Sequence, residues 1–430
     1  MRFFWRIAAP ITDIGRCGRA DEPIDERGAA LRKALRLGLV AIQLPLAVFV
    51  LYLDLLTVAS AFWRRQVKVG EPKRRFAIII PAHDEEILLP ALLSSCWDLA
   101  YPRELFDVHV IADNCTDRTA LVGTEAGATV HERVDESRRG KGFALGWLFD
   151  KLARQDSKYD AFVIVDADTT VAATMLAVFD AHLARGDQAI QCYYGVRNRD
   201  EGWPAMLRHV ALVLYNGVRP RGRDALGLST GLRGNGMCFA ASVVERFGWD
   251  AATLTEDAEF HLHLLEGGIR VRYAPQTSVT ADMPISLRQA RSQNVRWERG
   301  RLQLARSHGP QLLIKGFLRR DPAQLDALAE IILPPLSMLG VMSVMGLALS
   351  KVFRARLAYR LARLVIAGLA CYVFGGLLVA RERPRTYLAL FMAPPYAAWK
   401  LGIYVVSALH ITDSRWLRTE RATRSESKKS

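Results

Sequence analysis

Phe162-Val163-Ile164-Val165-Asp166-Ala167-Asp168 is the stretch that decides the fold. Four consecutive apolar residues, three of them β-branched, read as a strand buried on both faces. The two carboxylates that follow fall just past its end, at the rim of a sheet, which is where ligands bind in open α/β sheets. The same arrangement occurs upstream, where Val110-Ile111-Ala112 leads into Asp113-Asn114-Cys115-Thr116-Asp117. Further apolar runs, Phe76-Ala77-Ile78-Ile79-Ile80 and Val108-His109-Val110-Ile111, alternate with helical stretches such as Leu88 to Ala100 and Phe143 to Leu152. This alternation predicts an α/β domain over 76–301, with a mostly parallel sheet covered by helices.

The chain has 430 residues, 50% hydrophobic and 24% charged, enough for one large soluble domain and several membrane segments. Its net charge of +14 admits nucleic acid, anionic lipid or a phosphorylated substrate as partner. No nucleic-acid-binding motif accompanies the charge, so the reading is no nucleic acid. Basic clusters instead flank apolar segments: Arg64-Arg65-Gln66-Val67-Lys68 and Lys73-Arg74-Arg75, then a tail ending in Lys428-Lys429. Such clusters mark the cytoplasmic side of a membrane and favour anionic headgroups of membrane lipids. The six cysteines show neither metal-ligand spacing nor a secreted disulfide framework, and read as reduced thiols.

A polar segment, 1–36, precedes an apolar stretch, 37–63, that exceeds the roughly 20 residues needed to span a bilayer. Pro45 and Asp54 interrupt it, which predicts a kink and one inward-facing carboxylate. Three more apolar stretches follow the α/β domain, at 327–350, 361–380 and 387–409, and a basic tail occupies 410–430. Pro334-Pro335 and Pro394-Pro395 break the first and third, making each either a kinked span or a re-entrant or interfacial helix. Arginines at nearly every loop leave the topology open.

Four motifs carry chemistry. Asp166 and Asp168 can together hold a divalent ion and leave coordination sites for phosphate oxygens, as Mg²⁺ and Mn²⁺ prefer. Lys141, within Arg139-Gly140-Lys141-Gly142, offers a compact charge for phosphate on a loop whose glycines permit close approach. Thr255-Glu256-Asp257 opens a helical run, 258–265, and supplies a carboxylate able to take a proton as a bond forms. In Gln293-Asn294-Val295-Arg296-Trp297, Gln293 and Arg296 share a helical face. Arg296 can neutralise a growing negative charge, and Trp297 gives a flat face for a sugar ring. Arginines 288, 291, 296, 299 and 301 also suit an interfacial helix near 285–301.

The order of these motifs resembles the family 2 glycosyltransferases, in particular the membrane-embedded branch with cellulose, chitin and hyaluronan synthases. The resemblance implies a GT-A (Rossmann-like) domain on the cytoplasmic side of the inner or plasma membrane. It implies transfer from a UDP-sugar with inversion, supported by Mg²⁺ or Mn²⁺. It assigns Asp113 and Glu85 to the nucleotide, Asp168 to the metal, and Asp166 to the metal and donor. Lys141, Gln293 and Arg296 fall to the diphosphate, Asp257 becomes the base, and Trp297, Asn235 and Gly236 the acceptor end. His83 and Asp84 stand where the family commonly carries an aromatic residue and Asn, which removes an expected nucleobase contact. The product it implies is a growing β-linked polysaccharide, glucan or N-acetylglucosamine type, made processively and exported, with a partner subunit or second copy completing the channel. The alternatives are a single addition to a membrane lipid, as in ceramide-type glucosyltransferases, or a non-catalytic scaffold that binds the nucleotide sugar.

Overall fold

Strands β1 (Phe76–Ala82), β2 (Phe106–Asp113) and β4 (Ala161–Ile164) are the apolar runs of the sequence, and nearly every residue in them is buried. The structure, a computed structural model, describes residues 26–154, 159–249 and 255–409. With β3 (Thr129–Arg133), β5 (Thr169–Val171), β6 (Ala189–Val196), β7 (Met237–Ala240) and β8 (Val271–Ala281), they form one eight-stranded sheet of order β3-β2-β1-β4-β7-β6-β8-β5. The half from β3 to β4 is parallel. The other half is mixed, because β7 runs antiparallel to both β4 and β6, and β5 antiparallel to β8. The expectation of a mostly parallel sheet therefore holds only for the half that carries Asp113 and Asp166. Antiparallel partners need no long helical crossover, and a four-residue strand such as β7 leaves no periodicity to read.

Both faces of the sheet are covered, since successive strand residues point to opposite sides. Ile78, Ile80, Val110 and Val163 pack against α2 (Leu89–Trp97) and α5 (Met175–Ala184). Ile79, Ile111, Phe162 and Ile164 pack against α4 (Lys141–Arg154), α8 (Ala241–Phe247) and α9 (Glu256–Glu266). The short α3 (Thr119–Glu125) precedes β3.

A helical layer adjoins this domain. The first helix, α1 (Glu26–Ala61), begins well before Leu37. Its residues Leu46, Val50 and Leu53 form a core with Val210 of α6 (Trp203–Leu212), Leu339 of α12 (Leu336–Val352) and Val365 of α13 (Arg356–Ala370). Asp54 faces inward, since a Cβ on Gly368 of α13 would lie 2.8 Å from its carboxylate. The opposite face exposes Ile42, Leu44, Val48, Leu51, Leu55 and Val58. Between α6 and β7 lies α7 (Arg219–Ala225), whose Gly222 meets the Leu56 backbone of α1.

Among the described residues, two helices are long and apolar enough to cross a membrane, Ala29–Ala61 and Arg356–Val379, the latter continuing α13 through α14 (Gly376–Val379). The stretch expected at 327–350 is a pair, α11 (Pro322–Ile332) and α12, bent by 72°. Pro334-Pro335 lies at the break, because proline cannot continue the hydrogen-bond ladder. The stretch at 387–409 divides into α15 (Pro384–Leu388), a single 3₁₀ turn and α16 (Ala393–Leu409). The helix expected near 285–301 is α10, which runs on to Leu318 from Leu287 with Ser286 as its N-cap. The basic tail and the aromatic N-terminus lie outside the described residues.

Candidate active site

The carboxylates read from the sequence lie along the rim where β1, β2 and β4 end. Asp113, the last residue of β2, is buried and ion-paired to Arg133 of the neighbouring β3 at 2.5 Å. Asn114 follows in the left-handed region (φ 50°), donates its Nδ2 to Asp113 and accepts from the Asp135 amide. Asp84 is also left-handed (φ 52°), and its Oδ1 accepts from the Thr116 and Asp117 amides. The loops after β1 and β2 are thereby tied together. Glu85 donates its backbone N–H to Thr119, and the His83 ring bonds the Asp113 carbonyl at 2.7 Å.

Asp166 and Asp168 follow β4 and face the same cavity, half-buried. Lys141 reaches Asp166 from the first residue of α4. Its ammonium lies 2.5 Å from Asp166 Oδ1 and 3.8 Å from Glu256, and also bonds the Gly234 carbonyl. Among the described residues no third carboxylate or imidazole completes a ligand set with Asp166 and Asp168. Their hard oxygens fit an ion such as Mg²⁺ or Mn²⁺ that takes its remaining ligands from water and substrate phosphate.

Glu256 and Asp257 open α9, beside Lys141. A Cβ on Gly234 would lie 3.4 Å from the Asp257 carboxylate, so this glycine (φ 75°) keeps the approach to it open. Burial raises the pKa of both carboxyls, Glu256 to about 7, against the pull of Lys141. Arg233 also holds Asp257 down. For Lys141, burial pulls the ammonium's pKa down, but Asp166, Glu256 and Asp257 together leave it above its ordinary value. The two directions agree once distances are weighed: the nearest carboxylate to the ammonium is Asp166, and burial outweighs the longer Lys141 contact at Glu256.

Gln293, Arg296 and Trp297 of α10 line the same cavity. Gln293 accepts from Arg208 of α6, whose guanidinium carbon sits 5.4 Å from the Trp297 ring centre. Asn235 and Gly236, expected at the acceptor end, do not line it. Asn235 is fully buried and accepts the Asp166 amide at 3.2 Å. A Cβ on Gly236 (φ 66°) would meet Cys192 and, at 3.0 Å, Val279. This pair shapes the wall behind Asp166, and Gly234 is the glycine that faces the cavity.

Sequence reasoning missed Arg133, Arg208, Arg233 and the position of Glu256. Arg233 stacks over Tyr215 at 4.1 Å and pairs with Glu330 of α11 at 3.4 Å. Glu330 also holds Arg223 of α7, which pairs with Asp326 at 3.0 Å and bonds Tyr52 of α1 at 2.7 Å. These are contacts between distant elements, and no local pattern signals them.

A family model described as Glycosyltransferase like family 2 matches residues 72–300, more than half of the chain. The protein belongs to that family, and its sheet is the GT-A, Rossmann-like fold. Among curated relatives, the probable glycosyltransferase YdaM of Bacillus subtilis is 24% identical, over 55% of this chain and 57% of its own. The beta-monoglucosyldiacylglycerol synthase of a Nostoc species is 27% identical, over 46% of this chain and 43% of its own. The chain thus spans about half the length of the curated relatives it matches. Among solved structures, the Pyrobaculum calidifontis mannosyltransferase PcManGT, in complex with GDP-Man and Mn²⁺, superposes with a TM-score of 0.53. It covers 89% of this chain and all of its own at 17% identity, a likeness of fold.

Proposed function

We propose that the protein is a membrane-bound, inverting hexosyltransferase that moves a sugar from a UDP-sugar onto a hydroxyl of a lipid acceptor. The observation that carries this reading is the cavity itself, of about 3220 Å³. It is lined by Asp113, Lys141, Asp166, Asp168 and Asp257, and also by Leu336, Val341, Val344, Met345, Leu369 and Val373 of the C-terminal helices, with Ser337 and Tyr396 beside them. These six aliphatic side chains offer no partners to the hydroxyls of a glycan, and unmade hydrogen bonds there would be costly. They suit hydrocarbon, and Val344 and Met345 remain more than half exposed, which gives a lateral opening for a lipid tail.

In this reading Asp257 takes the proton of the acceptor hydroxyl while its oxygen attacks the anomeric carbon from the face opposite the diphosphate. The carbon–oxygen bond to the diphosphate breaks, and no covalent enzyme intermediate forms. Lys141 and Arg296 neutralise the charge gathering on the leaving group. Asp166 and Asp168 would hold Mg²⁺ or Mn²⁺, which supplies further neutralisation of that diphosphate. Asp113, fixed by Arg133, would receive the nucleoside with Glu85. In this reading the protein sits in the membrane with this site on the cytoplasmic side, which two helices long and apolar enough to span a bilayer support.

A processive polysaccharide synthase is the second reading, favoured by Trp297, 38% exposed at the cavity as a platform for a sugar ring. Product analysis with labelled UDP-sugar separates the two. A lipid carrying one sugar supports the first reading, and long glycosidase-sensitive material supports the second.

A further inference from the structure

Glu259 and His263 stand one turn apart on α9, and His308 meets them from α10. One ligand atom from each lies within 4.8 Å of the others, and all three side chains are half-buried. The i, i+4 spacing puts Glu259 and His263 on one helical face. Apolar packing brings His308 to that face, since Leu262 and Leu265 of α9 share a core with Leu304 and Leu312 of α10. The His263 and His308 ring centres are 6.5 Å apart. Ser307 holds the His308 ring. Its hydroxyl donates to carbonyls of the preceding turn, Gln303 at 3.0 Å and Leu304 at 3.5 Å, and lies 2.8 Å from His308 Nδ1. A hydroxyl whose proton is so engaged can only accept, so Nδ1 carries the ring hydrogen and Nε2 the lone pair. The three residues lie outside the lining of the reaction cavity.

We propose that Glu259, His263 and His308 form a site for one Zn²⁺ ion, separate from Asp166 and Asp168, that clamps α9 to α10. Two imidazoles and a carboxylate are ligands that Zn²⁺ takes readily, whereas Mg²⁺ keeps to oxygen. Bonds of about 2.0–2.2 Å set the ligand atoms of a tetrahedral ion about 3.3 Å apart. Half-buried side chains close the remaining distance by rotation, and water takes the fourth position. The consequence lies in what the two helices carry. Glu256 and Asp257 open α9 just ahead of Glu259, and α10 bears Gln293, Arg296 and Trp297. The helices already touch nearby, where a Cβ on Gly300 would clash with the Thr255 side chain. An ion bridging them a few turns further along fixes the proposed base against the residues that face it from α10. The inference is independent of whether the acceptor is a lipid or a glycan.

The test uses the full chain in a neutral detergent, stripped of metal with a chelator and titrated with Zn²⁺ while Mg²⁺ and UDP are in large excess. Bound metal is read by elemental analysis and native mass spectrometry, and stability by Tm. The expected result is one Zn²⁺ per chain, retained in Asp168→Asn, with a Tm that rises with Zn²⁺ concentration. Ser307→Ala, which keeps all three ligands but frees the His308 ring, should weaken Zn²⁺ binding about 10–100-fold. Glu259→Gln, His263→Ala and His308→Ala should weaken it further and abolish the rise in Tm. UDP binding equal to that of the unaltered protein reports that each variant is folded. For a variant that does not fold, the unaltered protein decides: Zn²⁺ should protect His263 and His308 from carbethoxylation, mapped by peptide mass spectrometry. The proposal is overturned if no Zn²⁺ is retained under excess Mg²⁺, or if Asp168→Asn abolishes its binding. It is equally overturned if binding survives His263→Ala and His308→Ala, because the ion then sits elsewhere, or if both histidines react alike with and without Zn²⁺.

Discussion

Asp257 is held between groups that pull its proton in opposite directions. Burial raises its pKa, while Lys141 and Arg233 lower it, with the net above the ordinary value. A general base works only when ionised, so kcat/KM should rise with pH through an acid limb lying above the usual aspartate range. Arg233→Gln removes one of the charges that lower it, and should move that limb to higher pH. Asp257→Asn should cut kcat by about 10²–10⁴-fold with little change in donor KM. Unchanged turnover would remove Asp257 from the base role. Glu256 carries the complementary stability prediction. Its folded pKa of about 7 lies above its unfolded value, so the folded state holds the proton more tightly. The stability this confers is full below the unfolded pKa and is lost as pH rises through about 7. Glu256→Gln should therefore raise Tm at pH 8 relative to pH 5, and equal shifts at both would contradict the assignment. At this scale the sequence was legible wherever residues fall in a short local motif, as with Asp166 and Asp168 after an apolar run and Lys141 between two glycines. Arg133 and Arg208 were not, because their partners arrive from a neighbouring strand or a distant helix.

At the level of elements, the contacts that hold the α/β domain against the helical layer are close backbone approaches. A Cβ on Gly222 would lie 2.9 Å from the Leu56 carbonyl carbon, with its oxygen closer still. Gly222→Ala should cost about 1–3 kcal/mol and loosen α1 from α7, read as a lower Tm and faster proteolysis after Ala61. Wild-type stability would show that the two helices adjust freely. The basic residues after α1 are a related case. The sequence reading gave them to lipid headgroups, yet Arg65 pairs with Asp187 and Asp224, and Arg74 with Asp180, all in or beside the α/β domain. Their charge is visible in the sequence, but the carboxylates that use it lie more than a hundred residues away. The bend at Pro334-Pro335 was legible because proline acts locally. The antiparallel β7 was not, because four residues after a glycine-rich loop carry too little pattern.

Over the whole molecule, an α/β half with a polar rim and a helical half with exposed leucine, isoleucine and valine share one cavity. Two helices long and apolar enough to span a bilayer predict that the protein resists alkaline carbonate extraction from membranes. Release into the soluble fraction would contradict the membrane reading. The central claim is transfer of one sugar to a lipid at Asp257. The measurement that tests it most directly is product analysis by thin-layer chromatography and mass spectrometry. The full chain would be placed in lipid nanodiscs with Mn²⁺ and each of several labelled UDP-sugars, beside the Asp257→Asn variant. The account predicts a lipid carrying a single sugar from one donor, absent with the variant. Long glycosidase-sensitive polymer, or product of any kind undiminished by Asp257→Asn, would contradict it.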